Sequence, residues 1–144
     1  MKENFYKYLL DIGITKTYGK KVEEIYNFYK NVCLEPIEDV FITDYITEDQ
    51  LREYESLWFF SKNYAMEAKR FIKEYDLDMS PISKVTRWEI KKKDYDFENA
   101  TEKSRMSLHF SSDIGITFNF KASKENCDYL KKIFNTYINS NMQE

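Results

Sequence analysis

The chain has 144 residues, with 22 Lys and Arg against 25 Asp and Glu, one His, two Cys and a formal charge of −3. Aromatic residues reach 17% and charged residues 33%; such a composition supplies a core, excludes a disordered chain and fits a single domain over residues 1–144. Three glycines, Gly13, Gly19 and Gly115, lie too far apart for a phosphate-cradling loop, which excludes P-loop and Rossmann nucleotide binding.

The near balance of charge argues against a dedicated nucleic-acid binder, which needs a concentrated basic face. No apolar run reaches the ~18 to 20 residues of a membrane span. Lys2, Glu3, Lys7 and Asp11 break up the start of the chain, so no signal peptide is expected and the protein reads as cytoplasmic. Cys33 and Cys127 fall within helical apolar stripes and are expected as reduced, packed thiols.

In chain order, residues 1–34 read as a helical segment. Phe5, Tyr8 and Leu9 share one side of a short helix that Gly13 stops, and Thr15 or Thr17 caps the next. Val22, Ile25, Tyr26, Tyr29, Val32 and Cys33 recur at steps of three and four, the stripe of an amphipathic helix that Pro36 prevents from continuing.

An antiparallel sheet of about six strands is expected over 38–121. Val40 to Ile46 and Ser56 to Ser61 are rich in β-branched and aromatic residues, and Thr47 to Gln50 between them has a capping-box pattern able to start a turn of helix. Residues 51–75 carry two readings: a long helix through Leu51, Tyr54, Trp58, Ala65 and Ile72, or a hairpin turning at Lys62 and Asn63. The hairpin is preferred, because Phe59 and Phe60 would leave the helical stripe and Asn tolerates a left-handed turn. Asp76 to Pro81 reads as a break and Val85 to Phe97 as a long strand. Arg105 to Phe110 and Gly115 to Lys121 alternate cleanly as a hairpin around 111–114. Ser123 then caps a C-terminal helix over 123–139 whose stripe is Cys127, Leu130, Ile133, Phe134, Tyr137 and Ile138, and Ser140 to Glu144 is a polar tail expected to fray. The fold class is therefore α+β: an N-terminal helical hairpin, an antiparallel sheet and a C-terminal amphipathic helix packed on it.

The block Met79 to Phe97, with its Ile82-Ser83-x-Val85 step into a long strand, and the run Gly115 to Phe134 together resemble the pleckstrin-homology-like superfold of small bacterial proteins, over about residues 38–139. The resemblance implies two curved antiparallel sheets closed by a terminal helix, with Phe134 in the place where that helix often buries a Trp. Phosphoinositide-binding members carry Lys and Arg between the first two strands, whereas Thr47 to Glu55 holds Glu48, Asp49, Glu53 and Glu55 against Arg52, so inositol-phosphate binding there is not implied. The Tyr8 to Tyr29 segment also resembles the N-terminal helical domain of tyrosine recombinases, but His109 has no Arg three residues on and the catalytic half is absent.

Charge is segregated. Glu35 to Glu55 holds eight acids against Arg52, whereas Lys84, Arg87, Lys91, Lys92 and Lys93 stand against Glu89 alone. Such complementary segments face one another or solvent within a fold, or guide a partner or a second copy. His109, the sole imidazole, is able to act as a base, but nothing in the local sequence places a nucleophile or orienting carboxylate beside it. Asp94, Asp96 and Glu98 alternate on the expected long strand and would share a face. Without any Cys-x-x-Cys or His-x-x-x-His pair, no metal site and no cofactor are expected. The leading expectation is a non-enzymatic binding or scaffold module for a protein partner or second copy, through Lys84, Arg87, Trp88, Lys91, Lys92 and Lys93. The alternative is a small-ligand site or enzyme with a pocket near His109 and Trp88. The third reading is lipid or nucleic-acid contact through the Lys84–Lys93 strand.

Overall fold

A computed structural model describes residues 1–142. Helices α1 (Glu3–Asp11) and α2 (Lys16–Val32) precede β1 (Asp39–Ile46), β2 (Arg52–Phe60), β3 (Tyr64–Lys69) and β4 (Asp76–Pro81), which form a four-stranded antiparallel meander. A second antiparallel sheet of three strands follows, β5 (Val85–Lys93), β6 (Arg105–Ser112) and β7 (Thr117–Ser123), and α3 (Asn126–Ile133) closes the molecule. The fold is α+β, as expected, with seven strands rather than about six.

Local chemistry explains the N-terminal hairpin. Gly13 adopts φ +81 beyond α1, a left-handed conformation that side chains resist, and a Cβ there would come within 3.2 Å of Tyr54 Oη. Thr15 then caps α2, its Oγ1 accepting the Tyr18 N–H at 3.3 Å.

Strand alternation buries the second half of β2 on both sides. Phe59 meets Phe5, Tyr26 and Tyr29 of the two helices, while Trp58 and Phe60 on the opposite face meet Phe118 and Phe120 of β7. The inner face of the second sheet supplies Met106, Leu108, Phe110, Phe118, Phe120 and Ala122, all buried. Cys127, Leu130 and Ile133 of α3 and Tyr137 and Ile138 beyond it complete this core. After Ile133 the helix widens into a π-type turn over Phe134–Ile138, followed by a 3₁₀ turn over Asn139–Asn141. Ser140 and Asn141 of the expected tail lie in that turn; Gln143 and Glu144 lie outside the described residues.

A buried polar corner joins β1 to β7 and α3. The Asp44 carboxylate accepts from Arg52 Nε at 2.8 Å, from the Ser123 N–H at 3.0 Å, from Asn126 Nδ2 at 2.6 Å and from the Ser123 hydroxyl. Tyr8 accepts the Ile42 N–H at 2.8 Å and donates to Asn126 Oδ1 at 2.8 Å. The side-chain donors of this corner thus have acceptors, as a low-dielectric site demands.

Several boundaries differ from the sequence reading. Residues 51–75 form the β2–β3 hairpin and not a long helix, but no left-handed Asn closes it; the Glu35 carboxylate instead accepts from Ser61 Oγ, from the Asn63 N–H and from Asn63 Nδ2. Thr47 to Gln50 makes a tight turn with Gln50 at φ 63, not a turn of helix, and Thr47 Oγ1 accepts the Leu51 N–H at 3.2 Å. The expected break at Asp76 to Pro81 is β4, an exposed edge strand that tolerates Pro81 because an edge leaves some N–H groups unpaired. β5 ends at Lys93, where Asp94 turns to φ 52. Asp94, Asp96 and Glu98 therefore share no strand face, and Asp96 instead accepts the Glu98 and Asn99 N–H groups. Ser123 belongs to β7 and Glu125 takes the position before α3.

Candidate functional site

β5 is an edge of the three-stranded sheet, and its residues after Val85 are exposed apart from partly buried Ile90. Pairing with β6 sets two faces. Arg87, Glu89, Lys91 and Lys93 stand opposite Ser111, His109, Ser107 and Arg105 on the outer face; Trp88, Ile90 and Lys92 stand opposite Phe110, Leu108 and Met106 on the inner one. Lys84 precedes the strand, exposed, and its C=O accepts the Asp113 N–H at 2.8 Å.

On the inner face Trp88 packs edge-on against Phe134 with ring centres 5.1 Å apart, and Lys92 lies 5.5 Å above the Phe97 ring. On the outer face Lys91 is 3.6 Å from Glu89. Among the described residues, no ion pair joins Lys84, Arg87, Lys92 or Lys93 to a carboxylate. Among the described residues the acidic segment makes no ion pair with the basic strand, and four of its eight carboxylates are engaged elsewhere. Glu35 holds the β2–β3 turn, Asp39 takes Lys132 and the Tyr137 hydroxyl, Asp44 holds the buried corner and Glu55 faces Lys121.

A shallow hollow of about 260 Å³ opens where Lys91, Lys93, Arg105 and Lys121 converge beside Ser107 and Tyr45. Arg105 and Lys121 were not singled out by the sequence; the β5–β6–β7 register adds them to the basic strand. Like charges on neighbouring strands repel, so this face favours an anionic visitor.

His109 and Trp88 lie in adjacent strand positions on opposite faces of the sheet, though both border a hollow of about 210 Å³. His109 also borders a larger cleft of about 350 Å³ between β7 and the β2–β3 hairpin, with Glu55, Glu67 and Trp58 among its walls. The His109 Nδ1–H donates to Asn119 Oδ1, so an amide and not a carboxylate orients the ring. Burial pushes the Glu67 carboxyl above the usual carboxylate range.

Among the described residues, no group of three His, Cys, Asp or Glu side chains is placed to hold a metal ion, and no helix is long and apolar enough to cross a membrane. Cys33 and Cys127 are separate buried thiols, and burial pushes the Cys127 thiol up to about 12.

No family model and no curated protein matches the chain. Among solved structures it is similar to the crystal structure of the C-terminal domain of an unknown protein from Leishmania infantum, with a TM-score of 0.50 and 10% identity, covering 81% of this chain and 98% of that one. At that identity the likeness speaks to the fold alone.

Proposed function

We propose that the chain is a pleckstrin-homology-like, cytoplasmic binding module that docks an acidic, extended segment of a partner protein along β5. The observation that carries this reading is an edge strand whose cations have few carboxylate partners within the molecule. The four-plus-three strand arrangement with its C-terminal helix supports the pleckstrin-homology-like assignment, and two free buried thiols suit a reducing compartment.

Alternation along β5 turns the main-chain N–H and C=O of Trp88, Ile90 and Lys92 away from β6, toward any strand that adds to this edge. Lys and Arg also guard an edge against indiscriminate pairing. An acidic strand satisfies both conditions, since it pairs with the edge and neutralises its guards.

The test is titration of a labelled (Glu-Val)₄ peptide into the wild-type chain and the Lys91→Glu/Lys92→Glu/Lys93→Glu variant, with solution mass measured for both. Binding that falls steeply with salt and disappears in the variant is expected. Equal binding to both proteins, or none to either, overturns the placement. A dimer that persists in the variant assigns self-association to another surface. Salt-sensitive binding to anionic vesicles or an oligonucleotide, without peptide binding, reassigns the basic strand to lipid or nucleic acid.

A further inference from the structure

We infer that the cleft between β7 and the β2–β3 hairpin is a second docking site, which takes an extended peptide main chain as an added strand on the outer edge of β7. Its argument is independent of docking on β5.

β7 pairs with β6 on one side only. Residues of an antiparallel strand point their N–H and C=O groups alternately toward and away from the neighbour. Ser123 fixes the phase, because its N–H leaves the sheet to reach Asp44 at 3.0 Å. Thr117, Asn119 and Lys121 share that phase, so their donors and acceptors also point away from β6. All three residues line the cleft, and another extended backbone is the ligand that matches such an array.

The space is shaped for it. The cleft of about 350 Å³ shares Trp58, Glu67, Lys69, Thr117 and Phe118 with a neighbouring hollow of about 120 Å³ that runs on to Ser80 and Ile116. Thr117 to Lys121 spans about 13 Å at the usual rise per residue, the length of a peptide of about five residues. Trp58 and Phe118 give an apolar floor for alternate side chains, and the Trp58 Nε1–H is a buried donor with no acceptor among the described residues.

Of the four edge strands, β4, β5 and β7 also differ in protection. β4 ends in Pro81 and exposes Asp76 and Asp78, and β5 carries its cations, whereas Thr117 and Asn119 place no charge on β7 and Lys121 is turned to Glu55 at 4.0 Å. Glu55 and Glu67 against Lys69, Arg70 and Lys121 give the cleft mixed charge, so it suits a peptide of low net charge, unlike the acidic segment assigned to β5.

The experiment pans a display library of random heptapeptides on the full chain at about 0.5 M salt, where screening suppresses charge-driven docking. Enriched peptides are expected to alter Trp58 emission and to shift the Thr117, Asn119 and Lys121 amide resonances. Affinity should fall at least tenfold in Thr117→Pro, which removes an outward N–H at the first residue of the strand, where proline is tolerated. The Lys91→Glu/Lys92→Glu/Lys93→Glu variant should bind as wild type does. Failure to enrich any peptide, undiminished binding to Thr117→Pro, or resonance shifts confined to β5 overturns the assignment. The resonance map is read on the wild-type protein and so holds even if Thr117→Pro misfolds.

Discussion

Arg52 donates its Nε–H to Asp44 at 2.8 Å, with the Asp44 side chain wholly enclosed and that of Arg52 13% exposed. The guanidinium also reaches Glu125 and the Ser123 C=O, so one cation ties β2 to the end of β7 and the start of α3. Removing Asp44 strands the buried Ser123 and Asn126 donors and leaves Arg52 only Glu125 as a carboxylate partner, which costs about 3–5 kcal/mol. Asp44→Ala is expected to lose that much in urea denaturation, or to fail to fold. Asp44→Asn, which keeps the shape but loses the charge and part of its accepting capacity, should lose less.

Tyr29 reaches from α2 into the ladder between β3 and β4. Its hydroxyl accepts the Asp78 N–H at 3.0 Å and donates to the Glu67 C=O at 2.6 Å. Tyr29→Phe preserves the packing against Phe59 and strands both main-chain groups, at a cost of about 1–3 kcal/mol. Amide exchange at Asp78 should quicken more than exchange at Phe110 in the second sheet.

Glu67 sets a pH dependence of opposite sign to that of an ion-paired acid. Desolvation raises its carboxyl, so the folded state holds the proton more firmly than the unfolded chain does. Its contribution to stability is present below the ordinary carboxyl range and is lost as pH rises through the raised value. Glu67→Gln stays neutral throughout. The variant should be more stable than wild type at about pH 7, with the difference closing toward about pH 4, as followed by denaturation midpoints.

The β6–β7 hairpin was legible because Met106, Leu108 and Phe110 alternate with exposed or half-exposed neighbours, and one covered face imposes a period of two. β4 was not, since Asp-Leu-Asp-Met-Ser-Pro lies at an edge with little buried on either face, so burial leaves no pattern to read. Trp88 and the basic residues of β5 were found as a sequence cluster, but their partners Arg105 and Lys121 come from register alone. The cleft joins Trp58 to Phe118 across the two sheets, a pairing no local spacing encodes. Asp44 did leave a mark: a lone carboxylate inside Val40 to Ile46, surrounded by apolar residues, points to a buried partner.

The corner built around Asp44 also orders events in time. Asp44 and Ser123 are 79 positions apart, and Tyr8 and Asn126 are 118 apart. A chain still emerging from the ribosome has made β1 and its carboxylate long before the groups that satisfy them. The corner therefore cannot close until β7 and α3 are present, and its contacts are of the high sequence separation that slows folding. Chains truncated before Asn126 should remain protease-sensitive, because the partners of Asp44 and Tyr8 are then missing.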